Sequence, residues 1–312
     1  MSSISLREKK INWNLLKVIF CLAGPTMLEQ FLQTAVQYVD TAMVSSLGTR
    51  ATAAVGATAT VNWLVGTTIS AFGVGFLGFI SQAIGAGNVE KAKKAAGQAV
   101  FIAVSVGLLF TAIVLGVARF VPAWMQVDPQ VQGLAATYFF IIYSPLLFRT
   151  FTIIFGTVLR AAGDTKSPMK AGLAVNAVNV VLNYLLIFDT KTFSLFGHEF
   201  TLYRAGMGVI GAGVASAVSV AAGGILICMA LFRNKEISPR GVSFKPDKEI
   251  LAPCLKVAFP NMLQRFWTSL GYVVFASMIN ALGEASTAAL LRDKPEEPSS
   301  DFCGKRESAR RQ

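Results

Sequence analysis

The chain has 312 residues, 54% of them hydrophobic and only 14% charged, with a mean hydropathy of +0.56. A soluble globular domain carries about 25% charged residues, so this composition excludes one and points to an integral membrane protein. The net charge of +11 then reads as basic loops on one side of a membrane, not as a nucleic-acid surface.

Seven apolar runs reach the roughly 20 residues that a membrane helix needs. They cover about 16–45, 53–82, 95–119, 133–160, 169–189, 206–232 and 251–281. Their length and the lack of period-two alternation favour helices over barrel strands. Before them, Arg7-Glu8-Lys9-Lys10 leads into a span with no small-residue cleavage site, so it does not read as a signal peptide.

The first span carries Glu29, Gln33, Gln37 and Asp40 at steps of four, four and three. That spacing stacks them on one helix face. An intramembrane carboxylate is costly and normally faces a cavity or a partner, so the stripe suggests a pathway for a cation or proton. Glu29 and Asp40 are roughly 16 Å apart along the axis, too far to share one ion. Glu29 is either a second relay station or a carboxylate near the cytoplasmic half held by Gln or Ser. Gln33 and Gln37 either line a cavity or bond across helices.

After the second span comes Ser81-Gln82-Ala-Ile-Gly85-Ala-Gly87-Asn88. The fourth span holds Arg149, which either balances a carboxylate within the bundle or snorkels to an interface. Leu159-Arg160-Ala-Ala-Gly163-Asp164-Thr165-Lys166-Ser167-Pro168-Met169 follows, with turn chemistry. Arg160 and Asp164 read as residues that fix this loop. In the fifth span Asn176, Asn179 and Asn183 form a polar seam at steps of three and four. Facing Asp40, such a seam would make an oxygen-rich site for Na⁺, or a hydrogen-bond network around a proton-carrying carboxyl. Tyr38, Tyr143, Tyr184, Trp63 and Phe148 either offer ring faces to a flat cation or serve as packing and interface-belt residues, as most membrane aromatics do.

Asp189 to Tyr203 reads as a polar loop holding the only histidine, His198, facing solvent. Arg233 to Glu249 reads as a basic linker between two bundles. With the N-terminus inside, the inner segments carry 16 Lys and Arg, and the outer ones carry four: Arg50, Arg119, Lys191 and Arg204. That asymmetry predicts a multi-pass protein with a cytoplasmic N-terminus. Cys21, Cys228, Cys254 and Cys303 have neither metal-ligand spacing nor a disulfide pattern. No nucleophile–base pair or phosphate loop is present, so the chain does not read as an enzyme.

Shifting the chain by 235 residues lays span one on span seven without a gap. Pro25-Thr-Met27-Leu28-Glu29 meets Pro260-Asn-Met262-Leu263-Gln264, and Thr52-Ala53-Ala54 meets Thr287-Ala288-Ala289. The six-span unit is even, so both copies start on the same side, as in a parallel repeat. The expected fold is an all-α integral membrane protein: one six-helix lobe at 1–232, a cytoplasmic linker at 233–250 and the first helix of a second lobe at 251–290. Residues 291–312 read as a polar, disordered tail, the pattern of a shifted frame or a truncated gene in preference to a deliberately short protein.

Four stretches in order resemble the multidrug and toxic compound extrusion (MATE) family of secondary transporters. They are Val39-Asp40-Thr41-Ala-Met43, Gln82 with Gly85-Ala-Gly87, the Leu159–Met169 loop, and Asn179-Val-Val-Leu-Asn183-Tyr184. With the repeat, the resemblance covers residues 15 to 290. It implies twelve helices in two lobes, and export of organic cations and amphiphiles in exchange for sodium or protons. Asp40 matches the family's first-helix acid implicated in coupling-ion binding, and Asn179 an asparagine beside it. Asn183 falls where some members carry a second aspartate. Pro25 matches a proline associated with bending. No cofactor is implied beyond H⁺ or Na⁺ as coupling ion, with any Na⁺ at Asp40. The implied partners are a small amphiphilic or cationic substrate, membrane lipids, and a second copy or fragment if one lobe is to be active. The alternatives are a lipid-linked saccharide flippase of the same superfamily and a non-transporting truncated remnant.

Overall fold

The structure, a computed structural model, describes residues 13–125, 127, 129–195 and 198–281. The expected tail at 291–312 and the basic Arg7, Lys9 and Lys10 lie outside the described residues. The helices are α1 (Trp13–Ser45), α2 (Thr49–Gly85), α3 (Val89–Val117), α4 (Val121–Trp124), α5 (Pro129–Tyr143), α6 (Leu146–Ala161), α7 (Lys166–Ile187), α8 (Gly208–Arg233) and α9 (Lys248–Ala281). All seven expected spans are helical, and the long helices make this an α-helical membrane protein.

Two expectations need correction. The fourth span is not one helix: α5 and α6 meet at a bend of 48°. Ser144 and Pro145 lie at the break, where proline has no N–H to continue the ladder. The segment after α7 is not an irregular loop. It is an antiparallel hairpin of β1 (Asp189–Leu195) and β2 (His198–Ala205), so His198 stands on a strand. Thr192 pairs with Thr201 and Phe193 with Phe200, residue types that favour an extended backbone.

Among the described residues α2, α3, α7 and α8 are long and apolar enough to cross a membrane, and the α5–α6 pair, bent at its break, has the length and apolarity of a broken span or a re-entrant loop. The 33 residues of α1 and 34 of α9 give about 50 Å each at 1.5 Å per residue. These are the two helices that the sequence repeat relates, and both are interrupted by polar side chains.

The main core joins α2, α3, α5 and α6, where Ile69, Phe76, Ile80, Phe139, Tyr143, Ile154, Phe155 and Leu159 are fully buried. A smaller cluster of Val44, Ala51, Tyr138, Ile187, Val209 and Ala212 packs near the end of α1. On the other flank α9 lies along α2. There a Cβ on Gly75 would stand 2.3 Å from the Cys254 carbonyl oxygen, so only glycine lets the two backbones meet. Thr67 and Ser269 share a hydroxyl hydrogen bond of 3.0 Å across the same seam.

The patterned loops are tight helix-to-helix turns. Gly163 adopts φ +83° as the Asp164 N–H returns to the Leu159 carbonyl at 3.0 Å. This closes α6 as glycine does after many helices. Asp164 then accepts from the Ser167 N–H at 3.0 Å and its hydroxyl at 2.7 Å, starting α7. Gly87 and Asn88 repeat the device between α2 and α3. The linker is also anchored: buried Gln98 of α3 donates to the Lys245 carbonyl at 2.7 Å and accepts from the Asp247 N–H at 3.2 Å.

Candidate functional site

Asp40 is half-buried near the end of α1 and faces α7. Asn179 and Asn183, one turn apart on α7, are both buried and present their amides along one edge. The Asn183 Nδ2 donates to the Asp40 Oδ1 at 2.7 Å and to the Asn179 Oδ1 at 3.1 Å. The Asn179 amide can be placed either way round. In one, Nδ2 donates to the Ser216 Oγ of α8 at 3.3 Å and Oδ1 accepts from Asn183. Turned over, Nδ2 donates to both Asp40 oxygens, at 2.9 and 3.0 Å. The first orientation puts acceptor against acceptor, which suits a carboxyl that bears a proton or shares a cation. The second suits a bare carboxylate.

Ser216 and Tyr138 complete the surroundings. Tyr138 of α5 is buried. It packs against α8 where a Cβ on Gly213 would lie 3.1 Å from its ring. The Asn183 Oδ1 is buried without a hydrogen-bond partner. Carboxylate and amide oxygens are the donors that hard cations prefer, so the residues present fit a Na⁺ ion as well as a proton. Asn176 is half-buried one turn below.

The remainder of the stripe is divided. Glu29 is held by Arg160 in the last turn of α6, whose Nη2 donates to Oε1 at 2.8 Å and Oε2 at 2.9 Å. Glu29 also lies against α7, its Cγ 3.4 Å from where a Cβ on Gly172 would be. Gln33, Gln37 and Tyr38 are exposed on α1, and α1 runs unbroken through half-buried Pro25. Arg149 pairs with no carboxylate among the described residues. Its guanidinium donates to the Asn62 Oδ1 of α2, to which the Tyr143 hydroxyl also donates at 3.3 Å.

Sequence reasoning missed Ser216, Tyr138, Asn62 and the Arg160–Glu29 pair. Asn62 is an isolated polar residue in an apolar run and could have been marked. Nothing in the Gly- and Ala-rich stretch of α8 singles out Ser216.

A helical membrane lobe whose spans meet at a buried acid–amide cluster, and which repeats its first helix in parallel, has the form of a secondary-transporter lobe. The model of the MatE family matches residues 25–185. "Probable multidrug resistance protein NorM" of Thermotoga maritima is 28% identical over 272 residues, covering 87% of this chain and 56% of that protein. "Probable multidrug resistance protein YoeA" of Bacillus subtilis is 25% identical over 270 residues, covering 85% and 56%. A crystal structure of MATE in complex with MaD5 is 25% identical with a TM-score of 0.74, covering 88% of this chain and 60% of that one. An outward-facing multidrug resistance MATE transporter of the MOP superfamily gives 25% and 0.72, covering 81% and 53%.

The chain belongs to the MATE family, whose members are transporters and not enzymes. It spans 56% of the NorM and YoeA relatives.

Proposed function

We propose that this lobe couples H⁺ or Na⁺ movement to export of small organic cations or other amphiphiles across the cell membrane. Its N-terminus lies in the cytoplasm, on the side where Lys and Arg concentrate. The observation that carries the reading is the convergence of Asp40 with Asn179 and Asn183. It joins two spans through an intramembrane carboxylate, which is a functional site by default. The multidrug resistance names of NorM and YoeA support the substrate class.

The amide of Asn179 supplies the coupling logic. With Asp40 bare, its Nδ2 turns to the carboxylate and ties α7 to α1. With a proton on Asp40, the carboxyl O–H donates to the Asn179 Oδ1, and Nδ2 is released to Ser216 on α8. A bound Na⁺ would draw the same oxygens together. Occupancy thus changes which helix Asn179 holds, and a ligand can shift a conformation only through such a difference between states.

Alternating access needs a second lobe. Here α9, the repeat partner of α1, lies along α2. In a two-fold parallel repeat the partner of α2 would therefore lie along α1. The exposed Gln33, Gln37 and Tyr38 then face the space between lobes, beside exposed Trp63 of α2.

The test is efflux of a fluorescent cation from proteoliposomes under a Na⁺ or H⁺ gradient, with both lobes present. Asp40→Asn should abolish gradient-driven efflux while the protein still inserts. Wild-type efflux from that variant would defeat the assignment.

A further inference from the structure

At the end of α8, helix and linker border a shallow open cavity of about 290 Å³, lined by Cys228, Met229, Phe232, Arg233 and Arg240. Its lining joins apolar Cys228, Met229 and Phe232 to two arginines. Among the described residues neither arginine has a carboxylate within 4.0 Å. The linker holds Arg240 in place. The Ser238 hydroxyl donates to the Phe232 carbonyl at 2.9 Å, the Asn234 Oδ1 accepts the Glu236 and Ile237 N–H groups, and Ile237 is fully buried.

The cavity opens at the end of a membrane span, so its mouth lies at the bilayer boundary. The apolar wall continues into the exposed flank of α8, through Met229, Leu226 and Ile225. Just past Arg240 the exposed Phe244 stands before Lys245 and Lys248, an apolar side chain among cations as in segments that rest on a charged leaflet. Two uncompensated arginines held at one site favour a phosphate, which guanidinium groups recognise well. The volume lies just below the roughly 300–1,000 Å³ of pockets for drug-sized ligands, so a headgroup and the first part of a chain would fill it.

We propose that this cavity is a binding site for an anionic phospholipid. The phosphate sits between Arg233 and Arg240, and an acyl chain runs along Phe232, Met229 and the outer face of α8. Basic pockets at this depth in other membrane proteins bind such headgroups. The site is separate from Asp40 and does not depend on the transport reading.

The test is native mass spectrometry of the 312-residue chain with phosphatidylglycerol, phosphatidylcholine or glycerol 3-phosphate added. Phosphatidylglycerol should be retained about thirtyfold more than phosphatidylcholine, as expected for two arginines at a membrane surface. The double variant Arg233→Gln/Arg240→Gln should lose that preference. Lys235→Gln/Lys248→Gln, which removes the same charge from residues that do not line the cavity, should keep it. Met229→Trp, which fills the apolar wall and leaves both arginines, should lose phosphatidylglycerol and so covers the case where the double variant does not fold. Three results would overturn the proposal: preference retained without the arginines, equal loss in the lysine variant, or retention of glycerol 3-phosphate equal to that of the lipid.

Discussion

Neutralising Glu29 tests whether the middle of α1 is tied to α6. The Glu29 and Arg160 side chains are 18% and 30% exposed, and both carboxylate oxygens meet one guanidinium nitrogen at 2.8 and 2.9 Å. Exposed pairs contribute about 0.2–1 kcal/mol, and breaking a fully buried pair costs about 3–5 kcal/mol. This pair lies between those limits, so Glu29→Gln should cost about 2 kcal/mol. The loss comes mainly from stranding Arg160, whose Nε already lacks a partner. Arg160→Gln should cost a similar amount by stranding Glu29. The double variant strands neither charge and should cost about 1 kcal/mol, so the two losses should not add. Thermal unfolding in detergent reads this out at about 2–4 °C per kcal/mol for a domain of comparable size. Each single variant should melt about 4–8 °C below wild type, and the double variant above both singles. Strictly additive losses would refute the tie.

Two further outcomes follow from the packing. Gln98→Leu removes both hydrogen bonds that clamp the linker to α3, so limited trypsin digestion should cut faster after Arg240 while helix content is unchanged. Gly75→Leu places carbon where the Cys254 carbonyl now stands and should push α9 off α2. Cysteines at Thr67 and Ser269, whose hydroxyls lie 3.0 Å apart, should cross-link readily in the parent and poorly in the Gly75→Leu background.

The long helices were legible because apolar length dominates a membrane chain. The stripe on α1 was only partly so. At about 100° per residue, Asp40 returns to within about 20° of Glu29, so both turn inward. Gln33 and Gln37 drift about 40° and 80° from Glu29, toward the exposed flank. Four residues that look like one face are thus two partly buried acids and two exposed amides.

The partners of those acids could not be read. Arg160 is 131 residues from Glu29 and Asn183 is 143 from Asp40, and no local pattern encodes such contacts. The Asn179–Asn183 spacing did show that the two amides share a helix face, and that part of the site was visible. Pro145 was a readable break inside the fourth span, and the Thr192-Phe193-Ser194-Leu195 alternation was a readable strand. Both were subsumed in longer patterns, of apolar length and of polar loop.

The central claim is that Asp40, and not Glu29, is the carboxyl whose occupancy changes. Infrared difference spectroscopy in membranes tests it directly, by following the carboxyl C=O stretch as pH or Na⁺ is changed. The account predicts one band that responds to pH or Na⁺, vanishes in Asp40→Asn and persists in Glu29→Gln. A responsive band that survives in Asp40→Asn and disappears in Glu29→Gln would contradict it.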